Sequence, residues 1–424
     1  MKRIALFMDG TWDSKGSKYP SNIERLYDAV PRVAGDGVRQ LAQYQKGIGA
    51  SAWSAWRIFA GATGAGLDAH VQELYSYLVQ NYVPGDEIYL FGFSRGAYTA
   101  RCLAGLIRNC GILTSEFSAA FFREEAYALY LHASFVPDSP TATAFRKAYC
   151  YPEFHDPSSF IIHFIGVFDT VGALGVPGPI DRVLMRFHDT ALSRYTRYAY
   201  QALAIDEHRA VFDACPWRTP AQSLPGQSTL QAWFPGAHCD VSGGYAEHGL
   251  ADCTLAWMTE QALTVGLDLD TARYREQYDY DPRPGGTLHN SNTLIFKLLR
   301  PQSFLKTFYR CIDDPPAAEE VSECVLMRRR FVTYDPPNLA AYISRRSAAL
   351  RYAPLPESLW IVRPSPLLKR MPRARNLVMR FLRPGTYGSQ DDTHDRKRLA
   401  RLATVWNGTE FVPIAASPKD PGCA

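Results

Sequence analysis

Apolar residues gather along the chain in short runs, each closed by small or polar residues. The runs are "RIALFMDGT" from Arg3, "RQLAQYQKGIG" from Arg39, "EIYLFGFS" from Glu87, "FIIHFIGVFDT" from Phe160 and "LQAWFPGAH" from Leu230. Near-continuous apolar runs of this length read as strands buried on both faces. Helical spacing occupies the intervals, as in "ERLYDAVPRV" from Glu24, "DAHVQELYSYLVQNYV" from Asp68 and "AYTARCLAGLIRN" from Ala97. Strands alternating with helices predict an α/β fold, a mostly parallel sheet with helices on both faces. Ligands of such sheets bind at the carboxyl ends of the strands, where the polar clusters fall.

Two stretches break the alternation and read as helical inserts, at residues 114–150 and 180–228, the second carrying "YQALAIDEHRAVF". Past residue 295 the strand–helix rhythm stops and arginine, aromatics and proline take over. The pattern predicts a catalytic core over 1–295 and a basic, aromatic-rich cap over 296–424 that closes over it or faces a membrane.

The run "FGFSRGAYTAR" places Ser94 directly after a strand and directly before a helix, with Gly92 and Gly96 two residues to either side. That context is what a nucleophile elbow requires, because the serine sits on a turn too tight for larger neighbours. A serine hydroxyl needs a base, and the base needs an orienting acid. Chain order in this sheet type is serine, acid, histidine. Asp169 follows the Phe160 run and His238 follows the Leu230 run, so all three project from strand ends.

The competing residues read differently. His163 lies within a strand, His208 follows Asp206 and Glu207 on a helical insert, His248 lies near a helix start, and His394 sits in the charged run "QDDTHDRKR". Asp240 is the rival acid, with a structural role in tying down the His238 loop as its alternative. For the developing oxyanion, the backbone N–H of Arg95 and that of Gly10 or Thr11 in "MDGTWD" are the candidate donors. Asp9, Asp169 and Asp240 form an alternative metal set, against a structural role for Asp9 in shaping the Gly10 loop.

Composition changes this picture little. Of 424 residues, 46% are hydrophobic and 13% aromatic, as in globular proteins, and the apolar runs are too short to cross a membrane. Asp9 ends the first run too early for a signal peptide. The nine cysteines form no C-x-x-C pair, which argues against a zinc ribbon or a disulfide framework. Formal net charge is only +4, yet from Lys297 to Arg401 basic residues outnumber acidic ones roughly two to one. There Arg328, Arg329, Arg330, Arg345, Arg346, Lys369, Arg370, Arg373, Arg375 and Arg380 alternate with bulky apolar residues such as Trp360 and Phe381. This composition suits an anionic membrane surface, with salt bridging to an acidic core as the alternative. Nucleic acid is the poorest fit.

Taken together, "ALFMDGTWD" with "SNIERLYDAV", "YLFGFSRGAYTARCLAGLI", "FIGVFDTVGALG", "YQALAIDEHR" and "WFPGAHCDVSGGYAEHGLADCTLAWM" resemble the DUF2235 proteins, which include the type VI secretion phospholipase effectors of the Tle1 group. The resemblance covers roughly residues 3–260. It implies an α/β-hydrolase core, a Ser94–Asp169–His238 triad without cofactor or metal, and hydrolysis of phospholipid esters. It further implies synthesis in the bacterial cytoplasm, export through a type VI system, and secretion-spike and immunity proteins as partners. Departures are the start directly at the first strand, with no recognisable delivery domain, and a weaker match over the last hundred or so residues. A soluble esterase or thioesterase, and a non-catalytic hydrolase fold that binds a membrane or partner, are the other readings.

Overall fold

The computed structural model describes residues 1–10, 13, 15–47, 65–116, 125–132, 136–171, 192–218, 223–292, 307–312, 319–346, 351–356, 404–406 and 411–413. Eight parallel strands form one sheet: β1 (Arg3–Met8), β2 (Gln40–Gln45), β3 (Glu87–Phe93), β4 (Ile162–Phe168), β5 (Thr196–Ala204), β6 (Ser228–Phe234), β7 (Glu319–Ser322) and β8 (Tyr352–Ala353). Their spatial order is β2-β1-β3-β4-β5-β6-β7-β8. A separate antiparallel ribbon pairs β9 (Thr404–Trp406) with β10 (Phe411–Pro413).

Helices cover both faces. They are α1 (Asn22–Asp28), α2 (Ala65–Asn81), α3 (Arg95–Cys110), α4 (Tyr127–Tyr130), α5 (Pro140–Tyr149), α6 (His238–Ser242), α7 (Gly249–Thr264), α8 (Thr271–Gln277), α9 (Glu323–Phe331) and α10 (Pro337–Arg346). Side chains alternate across the pleat. Ile4, Leu6, Ile88 and Leu90 therefore pack with Leu74 of α2 and Leu103 and Ile107 of α3. Phe7, Phe91 and Phe164 face the other way, onto Leu26 of α1 and Trp257 of α7. Phe7 and Phe91 are partners across the β1–β3 register and stack with centroids 4.8 Å apart.

The chain winds from β1 outward to β2, then returns past β1 to β3 and continues the other way. Strand order reverses between β1 and β3, and in such sheets a crevice opens there at the carboxyl ends. Residues 9–10 and Ser94 flank that point.

Two expectations are corrected. The stretch 180–228 is not a helical insert throughout, because Thr196–Ala204 forms a central strand paired on both sides. Its alanines and spaced tyrosines suit a helix as well as a strand, and insertion between β4 and β6 decides the matter. The polar Gln201 is accommodated there by bonds to the side chains of Thr170 and Gln231. Nor does the core end at residue 295. β7 and β8 extend the same sheet, and Val321, Val325, Leu339 and Tyr342 form a core with Leu203 and Trp233. The basic sequence hid these elements because part of its charge is structural. Arg328 is buried and donates to the carbonyls of Pro284 and Gly286, and Arg345 donates to that of Ile312. Arg328 is thus withdrawn from any membrane-facing surface, whereas Arg345 remains exposed. Lys369, Arg370, Arg373, Arg375 and Arg380 lie outside the described residues.

Candidate active site

β3 ends one residue before Ser94, which opens α3 with φ 56° and ψ −117°. This is a backbone region that side chains rarely occupy, and holding a residue there stores strain. The turn is fixed on one side by the Ser94 N–H, which donates to the Phe168 carbonyl at 3.0 Å. On the other side the backbone of α3 presses against β1. A Cβ at Gly96 would lie 2.1 Å from the Met8 carbonyl oxygen, and one at Gly92 would lie 2.5 Å from the Ala97 Cα. Only glycine fits at either position, and the spacing of the two around Ser94 follows.

Asp169 comes immediately after β4, also at positive φ (42°). His238 opens α6 after β6. The Ser94 hydroxyl lies 2.8 Å from His238 Nε2, and His238 Nδ1 lies 2.5 Å from Asp169 Oδ2. The three side chains, from the ends of three different strands, thus form one hydrogen-bonded series, and all are buried. Phe93 and Phe212 bracket the imidazole at 4.8 and 5.1 Å between centroids. Burial lowers the His238 pKa, and the bond to Asp169 opposes that without cancelling it. The ring is therefore neutral at pH 7, with Nδ1–H toward the carboxylate and Nε2 free to accept the serine proton. Burial alone would raise Asp169, but the Arg310 guanidinium and His238 outweigh it and hold its pKa well below the usual range.

Arg310 is the residue that sequence reasoning missed. It is fully buried and donates to Asp169 Oδ1 and Oδ2, to the Ala204 carbonyl at 2.9 Å, and to the Phe212 carbonyl. The fourth donor to Asp169 is the Ala204 N–H at 2.9 Å. No motif marks Arg310, which sits inside the region set apart as a cap. Glu207 was misplaced too. It lies beyond the end of β5, fully buried, where it accepts from the His238 N–H, from Ser291 and from Arg209. Its burial would raise its pKa, and the Arg209 pairing reverses the direction. The signal was available in "AIDEHR", whose acids stand at a strand end once β5 is recognised.

The oxyanion candidates separate. Arg95 supplies the first N–H of α3, which has no acceptor within the helix. Gly10, by contrast, donates its N–H to its neighbour's Asp9 Oδ1 at 2.7 Å, because a short Asp-Gly link lets the carboxylate fold back. The expectation of a free Gly10 donor is corrected on that point. Thr11 lies outside the described residues. Asp9 also accepts from Ser21 and Tyr44, at 2.7 and 2.6 Å, and so shapes the loop. Its burial, opposed by those bonds, puts its pKa at about 6.

Asp9, Asp169 and Asp240 do not converge, and among the described residues no three carboxylate, histidine or cysteine groups gather as metal ligands. Asp240 accepts the Ala237 and His289 N–H groups and His289 Nδ1, tying down the loop that carries His238. His163 bonds to the Val265 carbonyl, His208 to the Phe308 carbonyl rather than to a surface acid, and His248 to Asp252. His394 lies outside the described residues.

Comparison with known proteins bears on this geometry. The family described as "T6SS, Phospholipase effector Tle1-like, catalytic domain" matches residues 2–261. The chain belongs to this family. It is the family that the sequence motifs resemble, and the matched residues include Ser94, Asp169 and His238. Arg310 lies beyond them. Among curated proteins, the chain is 30% identical over 244 residues to the uncharacterized protein YEL023C of Saccharomyces cerevisiae, a match spanning 53% of this chain and 34% of that protein. The chain thus spans about a third of that relative's length. Among solved structures, it is similar to an uncharacterized protein from Pseudomonas aeruginosa, at 18% identity and a TM-score of 0.41 over 95% of this chain and 62% of that one. It is also similar to the Tle1 effector bound to the VgrG spike of the type VI secretion system, at 18% identity and a TM-score of 0.31 over 58% and 51% of the two chains. No described helix is long and apolar enough to cross a membrane.

Proposed function

We propose that the chain hydrolyses carboxylic esters of phospholipids through a covalent acyl-serine. The observation that carries this reading is the Ser94–His238–Asp169 hydrogen-bond series on a strained strand–helix turn. Family membership supports the lipid class, and the geometry supports the chemistry.

Ser94 Oγ attacks the acyl carbonyl carbon while His238 Nε2 takes the hydroxyl proton. The carbonyl π electrons move onto oxygen, and the Arg95 N–H, at the positive end of α3, steadies that charge. Collapse of the tetrahedral species breaks the bond to the lipid alkoxide, which receives the proton from His238. Water then attacks the acyl-serine with His238 again as base, releasing fatty acid and restoring Ser94. Asp169 remains ionised throughout, holding Nδ1–H in place and stabilising the imidazolium.

The family's description also supports delivery by a type VI system to a target cell. The test of the chemistry is fatty-acid release from phosphatidylglycerol–phosphatidylethanolamine vesicles and from a short soluble ester. The wild-type protein should hydrolyse the vesicles, and Ser94→Ala should lose on the order of a million-fold in turnover. Hydrolysis of the soluble ester alone would favour an intracellular esterase. Equal activity in Ser94→Ala would end the serine mechanism.

A further inference from the structure

The turn from β6 into α6 carries His238, and carboxylates hold it. Three consecutive main-chain N–H groups each donate to a different one: Gly236 to Asp206 at 2.7 Å, Ala237 to Asp240 at 2.9 Å and His238 to Glu207 at 3.3 Å. Asp240 belongs to α6 itself, whereas Asp206 and Glu207 reach across from the end of β5. The two chains run on side by side past their strands. Ile205 donates to the Phe234 carbonyl and Asp206 to that of Gly236, so Glu207 arrives opposite His238.

Glu207 is fully buried. Arg209 meets both of its oxygens, through Nε at 2.8 Å and Nη2 at 2.9 Å, and the Ser291 hydroxyl donates to it at 2.8 Å. A buried ion pair contributes little net stability, because the cost of desolvating two charges offsets their attraction. An apolar pair of similar volume would hold the fold as well, but it could not accept the His238 N–H. Arg209 adds a second contact on the ring side. Its guanidinium lies 3.7 Å from the centroid of the Phe212 ring, which packs edge-on against the imidazole. The imidazole must reach Ser94 with one nitrogen and Asp169 with the other, so the place of its main chain decides whether both bonds form. Small displacements of a reacting group are costly in rate.

We propose that Glu207 is a positioning residue for the general base: through the His238 N–H it fixes where the imidazole stands between Ser94 and Asp169, and Arg209 holds the carboxylate in place for that bond. The inference rests on the serine-hydrolase reading for the role of His238, and one of its two measurements needs no turnover.

Two double variants remove the ion pair and differ only in the acceptor. Glu207→Leu/Arg209→Met has none, while Glu207→Gln/Arg209→Met keeps an amide oxygen for the N–H. Each is assayed on a short soluble ester at pH 8, and its His238 Nδ1 proton, bonded to Asp169, is followed by NMR. Glu207 and Arg209 act on the imidazole charge with opposite sign, so removing both leaves it neutral at that pH and the readings report position. The leucine double should lose on the order of a hundredfold in kcat with KM unchanged, and its Nδ1 resonance should broaden or vanish. The glutamine double should recover most of both. Wild-type kcat or an unaltered Nδ1 resonance in the leucine double, equal losses in the two doubles, or a rise in KM in place of the fall in kcat would each overturn the proposal. Should the leucine double fail to fold, Ser291→Ala takes its place, since it removes one donor to the carboxylate and leaves the ion pair. A smaller fall in kcat at unchanged KM is then expected, and no fall would overturn the proposal. A wild-type protein that hydrolyses no ester would count against the hydrolase reading, while the Nδ1 resonance would still decide the positioning role.

Discussion

Arg310 donates to both oxygens of Asp169, at 2.6 and 3.0 Å, from 141 residues further along the chain. The acid that orients His238 is therefore fixed by a segment beyond the triad-bearing region. The same guanidinium ties the ends of β4 and β5 together through the Ala204 carbonyl. Asp169 can stay ionised in a fully enclosed position because this cation neutralises it.

Removing the cation should be costly. Arg310→Met leaves a buried carboxylate unpaired, with an expected loss of about 3–5 kcal/mol in unfolding free energy. The sign of the pH effect follows from the depressed Asp169 pKa. Its stabilisation is present above the ordinary carboxylate range and is lost as pH falls through the lowered native value. Arg310→Met should shrink that acid-side loss or reverse its sign, because burial then raises the Asp169 pKa with no guanidinium to oppose it, and Arg310→Lys should restore part of the wild-type behaviour. Urea titrations between pH 2 and 8 measure both. An unchanged pH dependence in Arg310→Met would remove Arg310 from this role.

His238 should govern the acid side of the rate profile. Burial holds its pKa below the ordinary 6.5, so the base is neutral at pH 7 and is lost only as pH falls beneath that value. kcat/KM on a soluble ester should therefore be flat near neutrality and decline with a single-proton limb centred below 6.5. Asp169→Asn removes the bond that raises the His238 pKa, so the limb should move further down while the plateau drops on the order of ten-thousand-fold. A limb centred above 6.5 would contradict the environment described for the imidazole.

The strained turn offers a separate check. At φ 56° and ψ −117°, a residue with a side chain at position 94 is disfavoured relative to glycine. Ser94→Gly should therefore be more stable than Ser94→Ala by about 1 kcal/mol, although glycine loses more chain entropy on folding. Both should be inactive. Thermal denaturation of the pair compares them directly, and greater stability of the alanine variant would show that the turn carries no strain.

The sequence made the near half of this site readable because tight turns leave few residue choices. Gly92 and Gly96 are dictated by contacts under 3 Å, and the strand ends carrying Asp169 and His238 announce themselves as apolar runs stopping at polar residues. β5 was not legible, since "TRYAYQALA" carries no period that separates strand from helix and its pairing partners lie far away in sequence. Arg310 and Arg328 were hidden for a related reason. A basic residue in a basic stretch looks solvated until a distant carboxylate or carbonyl is seen to receive it. Gly10 failed on a detail that only coordinates give, the direction of one N–H toward Asp9.

The central claim is that Ser94 is a nucleophile activated by His238, and covalent labelling tests it most directly. The native protein is treated with a fluorophosphonate at pH 7 and the adduct is mapped by peptide mass spectrometry. A single adduct on Ser94 is expected, slowed strongly in His238→Ala and absent in Ser94→Ala, with labelling at pH 5 slower than at pH 7 as the imidazole gains its proton. Absence of an adduct, or its appearance on another residue with Ser94 unmodified, would contradict the account.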